Sequence, residues 1–368
     1  MKVVIRTDSS LLIGTGHLMR CLTLAEELRR NRVEVVFICR ELPGNLIDLA
    51  EAKGYRVHRL PLENEKLMND PRRELYDRWR GVEEDIDGAQ TEAVLAEKES
   101  DAAWLVVDHY GLDADWESPL RQYVGNIMVI DDLANRRHDC DMLLDQNFYE
   151  NSETRYDGLT PDAADLLLGP QYVLLREEFR QVRPGLNRKY AEVKCILVSF
   201  GGADNGNDTL KALDMTASPE YGNLTFDVVV GKTNPHAGAI KQVCDGRQNV
   251  NYYHNIDNMA QMMARADICI GAGGTSTWER CCLGLPAVTL SVADNQVEVA
   301  RLSHKAGFAV YLGGNHEVDA AKIRQAVDEL ISNREKRREM SKIGLELVDG
   351  QGVEKVVNYI LRSVSVKK

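Results

Sequence analysis

A histidine set directly behind two glycines is the first place where this chain could do chemistry. It lies in IGTGHLMRCLTLAEELRR (13–30), after an apolar run, Val3–Ile5, and a polar RTDSS. Gly14, Gly16 and His17 therefore stand where a strand is expected to turn into a helix. A helix N-terminus carries positive partial charge, which disfavours a protonated imidazole. His17 is accordingly expected to be neutral near pH 7 and able to accept a proton. Asp8 could orient the ring, or favour its cation. Placement alone leaves two readings open, a general base or a histidine that closes the turn.

GAGGTSTWER (271–280) is the second such place. A glycine-rich turn opening a helix offers free N–H groups to an anion, and Gly274, Thr275 and Ser276 would line it. Glu279, one turn in, could accept from two neighbouring ribose hydroxyls. Ser276-x-x-Glu279 is equally the spacing of a capping box, and spacing alone favours that reading.

Other motifs fall away. A dinucleotide fingerprint needs a third glycine where Met19 stands, so neither NAD nor FAD is expected. GKT at 231–233 lacks the first Walker glycine, since Phe226 occupies that position. Asp113-Ala-Asp115 and Asp139-Cys-Asp141 are D-x-D pairs that an acidic chain produces by chance. His138 with Cys140 lacks a second zinc-spaced pair. No G-x-S-x-G or H-E-x-x-H occurs. No metal and no cofactor are expected.

The chain has 368 residues, enough for two domains with separate cores. A net charge of −12 argues against nucleic acid or an acidic membrane as partner, while leaving room for a local phosphate pocket. MKVVIRTD has no signal-peptide core, and no apolar run approaches the roughly 20 residues of a membrane span. The 8 cysteines include no C-x-x-C pair, which suits reduced thiols in a cytoplasm.

The elements that must position these residues come in two sets. Helical spacing of Leu18, Cys21, Leu22, Ala25 and Leu28 follows the first turn, then VEVVFIC (33–39), WLVVD (104–108), IMVIDD (127–132) and DLLLG (165–169) read as strands. Residues 62–98 are highly charged and read as solvated surface helices. The pattern restarts at CILVSFGGADNGNDTLKAL (195–213), with later strands in FDVVVG (226–231), ADICIGAGG (266–274) and PAVTLSV (286–292). Repeated βα units predict an α/β protein of two Rossmann-like, doubly wound parallel sheets, with domains at 1–180 and 193–368. The polar RQVRPGLNRKYAE (180–192) is the expected linker. Ligands bind such sheets at the carboxyl ends of strands, so two sheets are expected to face a shared cleft.

Taken in order, RTDSSLLIGTGHLMRCLTLA, VVDHYGLD, IDDLANRRHDCDMLLDQN, LLGPQYVLLREEF, SFGGAD and GGTSTWE…DNQ resemble one family. It is the UDP-2,4-diacetamido-2,4,6-trideoxy-β-L-altropyranose hydrolases of pseudaminic acid biosynthesis, the sugar of flagellin glycosylation. That family is akin to the two-domain GT-B glycosyltransferases, including the one that completes the peptidoglycan lipid precursor. The resemblance implies a GT-B-like fold and a small-molecule UDP-sugar as substrate. It implies that His17 is the catalytic histidine and that Gly14 and Gly16 bring backbone close to substrate. It matches Glu279 to a ribose-binding glutamate, Asn295 and Gln296 to a following NQ pair, and Gly201-Gly202 to a turn against the nucleotide sugar. Segment 62–98 is longer than in compact members.

UDP is a stable leaving group, so the expected mechanism needs one base and no general acid. His17 would take the proton of a water attacking the anomeric carbon, with inversion. The 271–276 turn would hold the departing pyrophosphate, and Arg6, Asp8 and Arg20 would flank the sugar. The alternatives are a glycosyltransferase, a UDP-N-acetylglucosamine 2-epimerase-like enzyme, or a nucleotide-sugar sensor without turnover.

Overall fold

The computed structural model describes residues 1–63 and 65–366. Among them, the apolar runs become the inner strands of two all-parallel sheets. The first has seven strands: β1 Lys2–Thr7, β2 Glu34–Arg40, β3 Arg56–Leu60, β4 Trp104–Asp108, β5 Asn126–Ile130, β6 Met142–Asp145 and β7 Asp165–Leu168. Their order is β3-β2-β1-β4-β5-β6-β7, so the chain reverses direction across the sheet between β1 and β4. The second has six: β8 Cys195–Ser199, β9 Thr225–Val230, β10 Val250–His254, β11 Ile268–Ala272, β12 Ala287–Ser291 and β13 Val310–Gly314. Its order, β10-β9-β8-β11-β12-β13, repeats the same switch between β8 and β11. A crevice outside the strand ends at such a switch is where open α/β sheets take ligands.

Central strands are buried on both faces because helices cover both. Val3, Ile5, Val106 and Met128 pack beneath the helix Gly16–Arg30 through Leu18, Leu22 and Leu28. In the second sheet Ile196, Val198, Val228, Ile268 and Val288 form the equivalent core. No helix among the described residues is long and apolar enough to cross a membrane.

The chain divides into two compact units, but not where composition placed the boundary. The first comprises Met1–Asn147, Asn151–Leu174 and the chain from Gly352; the second comprises Phe148–Glu150 and Leu175–Gln351. The division therefore falls before the expected linker. RQVRPGLNRKYAE is anchored to the second unit, where Arg183 donates to the carbonyls of Cys282, Val348 and Leu345 at 2.6–2.7 Å. The last helix, Gly352–Val366, buries Val353, Val356, Val357 and Ile360 in the core of the first unit. Lys355 there donates to Gln171 O at 3.3 Å.

Candidate functional site

β1 ends at Thr7 and the chain loops before the first helix. Ser10 and Gly14 exchange backbone hydrogen bonds, and Ser10 Oγ accepts from the N–H groups of Leu12 and Ile13. Gly14 closes this turn at φ +80°, a conformation L side chains rarely adopt, which accounts for glycine there. The helix starts at Gly16 with no side-chain cap, and His17 is its second residue, 7% exposed.

The partner of His17 is Asp108, the last residue of β4, which lies beside β1. Nδ1 is 2.6 Å from Asp108 Oδ1. One helical turn on, Arg20 grips the same carboxylate with two hydrogen bonds, Nε to Oδ2 at 2.7 Å and Nη2 to Oδ1 at 2.6 Å. The i, i+3 spacing puts both side chains on one helix face. Burial pushes the Asp108 carboxyl up, but Arg20 and His17 overcome it and hold it well below the usual carboxylate range. An ionised carboxylate only accepts, so a neutral His17 carries its proton on Nδ1 and leaves Nε2 as the acceptor.

Aromatic rings fix the imidazole from the side. Tyr110 meets it edge-on with centroids 4.6 Å apart, and Trp79 at 5.6 Å. Trp79 stacks on Tyr110 at 5.3 Å. Trp79 belongs to the charged segment expected to be solvated surface, as does Asp87, which is fully buried. That expectation is corrected: Trp79 walls the histidine, and Asp87 anchors two arginines.

Those arginines are Arg6 and Arg40. Arg6 is fully buried, with Nη1 2.7 Å from Asp8 Oδ1 and Nη2 2.7 Å from Asp87 Oδ2. Arg40 Nη2 reaches the same Asp87 oxygen at 2.7 Å, and the Arg40 N–H donates to Asp8 Oδ1. Arg6 and Asp8 thus belong to an ion network buried inside the first unit. Asp8 does not orient His17, since that place is taken by Asp108. Arg20 is at the site, but acts on Asp108.

Three further carboxylates stand at the carboxyl ends of β5 and β6: Asp131 and Asp132 just after β5, and Asp145 as the last residue of β6. Asp132 accepts from Tyr110 Oη at 2.5 Å and from Asn147 Nδ2 at 3.0 Å. Asp131 pairs with Arg136 at 2.8 Å. Asp145, nearly buried, has its carboxyl pushed up to about 8 by burial and by the neighbouring Asp132 charge. Tyr156 Oη lies beside both Asp131 and Asp145. It lies within donating distance of Asp131 O at 2.9 Å and of Asp145 Oδ2 at 3.0 Å. Sequence reasoning missed Asp108, Asp132 and Asp145, although each strand signature ends in the aspartate: WLVVD, IMVIDD and MLLD.

The second unit presents another kind of edge. Gly201-Gly202 follows β8, Gly274–Ser276 follows β11, and Asn295–Gln296 follows β12, adjacent strands of one sheet. The structure therefore brings these expected residues to one carboxyl edge. The β8 and β9 turns pack so closely that a Cβ on Gly231 would lie 2.3 Å from Gly202 O. Gln296 Oε1 accepts from the Val292 N–H at 3.1 Å, and its amide nitrogen lies beside Gly274.

The capping box does not form. The Ser276 hydroxyl lies 3.4 Å from Ala272 O, and the Glu279 carboxylate meets Arg176 Nη2 at 3.1 Å. Buried Arg280, also unforeseen, ties the turn together by donating to Ala272 O and Thr277 Oγ1, each at 2.9 Å, and Ser276 Oγ at 3.1 Å.

Asp113, Asp139 and Asp141 of the D-x-D pairs are engaged elsewhere. Asp113 caps a helix by accepting from Asp115 N at 2.8 Å, and Arg121 holds Asp139 and Asp141 at 2.7 and 3.0 Å. Among the described residues no group of three or more His, Cys, Asp or Glu is placed to hold a metal.

Residues 197–352 match the glycosyltransferase family 28 C-terminal domain. The chain is 27% identical over 311 residues to the UDP-2,4-diacetamido-2,4,6-trideoxy-β-L-altropyranose hydrolase of Campylobacter jejuni, covering 84% of this chain and 98% of that one. A protein of Methanocaldococcus jannaschii is 26% identical over 315 residues, covering 79% of this chain but 55% of the archaeal one. Among solved structures, MurG of Acinetobacter baumannii superposes with a TM-score of 0.66 at 12% identity, covering 98% of this chain and 99% of MurG. The resemblance read from the sequence therefore holds over most of the chain, and the fold is the GT-B fold.

Proposed function

We propose that the chain processes a UDP-sugar, and that its reaction is hydrolysis of a UDP-linked 2,4-diacetamido-2,4,6-trideoxy sugar, giving the free sugar and UDP. The identity shared with the Campylobacter hydrolase, over nearly that protein's full length, supports the substrate class. The observation that carries the reaction is the His17–Asp108 contact at 2.6 Å. In the neutral ring that contact places the proton on Nδ1, so Nε2 is the accepting nitrogen and is held in one orientation, as a base requires.

In this reading the first unit supplies the base and the second holds the nucleotide. Gly201-Gly202 and the Gly274–Ser276 turn offer backbone N–H groups to the diphosphate, and Glu279 accepts from the ribose hydroxyls. Asn295 and Gln296 complete that edge. His17 Nε2 takes a proton from water as its oxygen bonds to the anomeric carbon, and the bond to UDP breaks. UDP leaves as a stable anion, so no second acid is needed, and a single displacement inverts the anomeric centre. The pathway this serves is pseudaminic acid biosynthesis.

Incubation with UDP-sugars in ¹⁸O-water tests the reading. Free UDP released without any acceptor, with the label on the sugar and the first anomer inverted, is the expected result. Release only in the presence of an acceptor would make the chain a transferase, which the family 28 domain match keeps in view. Label on phosphate would defeat the mechanism, and binding without release would leave a sensor.

A further inference from the structure

At the opposite edge of the second sheet, where the strands begin, lies a cavity of about 200 Å³. Ala266 and Asp267 lead into β11 there, Pro286 into β12 and Val193 towards β8. Its wall carries Arg188, Lys189, Arg265 and Arg337 against the single carboxylate of Asp267, in a chain whose net charge is −12. Arg265 is neutralised by Asp227 at 2.6 Å. Asp267 accepts from the N–H groups of Lys194 and Cys195 at 2.8 and 2.9 Å.

Arg188 and Arg337 have no carboxylate within ion-pair distance among the described residues. Arg188 donates instead to the carbonyls of Leu283, Ala266 and Met263 at 2.5–2.8 Å. Arg337 donates to those of Leu330, Ile331 and Ala191 at 2.5–2.8 Å. Most of these carbonyls end helices, which supply partial negative charge but not a full counter-charge. Burial accordingly lowers the basicity of both groups, Arg188 to about 10. A guanidinium has five N–H donors, so Arg188 keeps two beyond its three carbonyl bonds.

We propose that this cavity binds a small tetrahedral oxyanion, either inorganic phosphate or the phosphoryl group of a phosphomonoester, on Arg188 and Lys189, with the Arg337 charge behind them. The planar guanidinium fork matches the spacing of phosphate oxygens, and the ion supplies the charge the carbonyls lack. Because the same side chains cap helix ends, occupancy links phosphate concentration to the stability of the second unit. The site lies at the other end of the strands from the glycine turns, so it is separate from the nucleotide edge.

The test is titration calorimetry with inorganic phosphate, with melting curves at ionic strength matched by chloride. Saturable binding and a rise in Tm of about 2–5 °C are expected. Lys189→Glu, an exposed position, should weaken phosphate by about tenfold or more. Arg188→Lys, which keeps charge but loses the fork, should fall between the two. Glycerol phosphate binding as tightly would show that the site takes an esterified phosphoryl group, and binding of phosphate alone would restrict it to the free ion. The proposal is overturned if wild type and Lys189→Glu show the same rise, the general effect of an excluded salt. It is overturned equally if saturating UDP abolishes the phosphate heat, which would assign that heat to the nucleotide edge.

Discussion

The carboxyl edges of the two sheets share one topology and are built from opposite materials. On the first, charged side chains are buried and interlocked: Asp108, Arg20 and His17 form one constellation, and Arg6, Asp8, Arg40 and Asp87 another beside it. On the second, glycines, small hydroxyl residues and an exposed Asn295 leave backbone exposed. A base must be held in one orientation and one tautomer, which takes side-chain partners fixed from several strands. A diphosphate needs N–H groups and room, which takes the absence of side chains. In the proposed reading chemistry belongs to the first edge and binding to the second, so substitutions at the two should divide between kcat and affinity.

The largest effect should come from His17→Asn. Turnover is expected to fall about 10²–10⁴-fold, the range for a lost general base, while UDP affinity stays within twofold. Near-normal turnover by the folded variant would end the division. Asp108→Asn should lower kcat by about 10–10²-fold, because an amide does not select the same tautomer. It also leaves Arg20 without its counter-charge, so urea unfolding should show a loss of about 3–5 kcal/mol. An unchanged kcat in that variant would reduce Asp108 to a structural partner of Arg20.

At the second edge, Glu279→Ala should weaken UDP by about 1.5–3 kcal/mol through lost charge-assisted hydrogen bonds, with kcat nearly unchanged. Calorimetric titration reads this directly. Unaltered affinity with a lower melting temperature would mean that the Arg176–Glu279 pair at 3.1 Å is only structural.

What the sequence disclosed follows the range of the forces involved. The glycine turns were legible because a backbone requirement is local, as at Gly14. Inner strands were legible because burial on both faces demands a continuous apolar run. β3, β10 and β13 escaped notice: each lies at a sheet edge, is partly exposed, and reads RVHRL, VNYYH or VYLGG. β6, MLLD, escaped for another reason, since it is inner and buried but only 4 residues long. Asp108 escaped as a partner for His17 because it lies 91 residues away, and only the pairing of β1 with β4 brings them together. Asp8, near in sequence, took its place in the reading. The last helix was assigned to the wrong core for a related reason, since the apolar face of Val353, Val356 and Ile360 does not state which sheet it covers.

The finest distinction on the first edge lies between its carboxylates, and pH separates them. Asp108 is held ionised, whereas Asp145 is pushed up to about 8, above the roughly 3.9 of an unfolded aspartate. The folded chain therefore keeps a proton at Asp145 that the unfolded chain releases. The stability tied to that proton is fully present below about pH 4 and is lost as pH rises through about 8. Asp145→Asn removes the titrating proton but keeps the shape, since the amide oxygen can accept from the Asn147 N–H at 2.9 Å as the carboxyl does, and its NH2 replaces the oxygen beside Tyr156 Oη. Between pH 5 and 8 the wild type should lose about 3–4 kcal/mol relative to this variant, a Tm difference of several degrees. The depressed carboxylates, Asp108 and Asp87, contribute their pH dependence at lower pH and cancel in the comparison. If the wild type instead gains on the variant as pH rises, Asp145 is ionised, and Arg155, with Nε 3.4 Å from Asp145 Oδ2, outweighs both burial and Asp132.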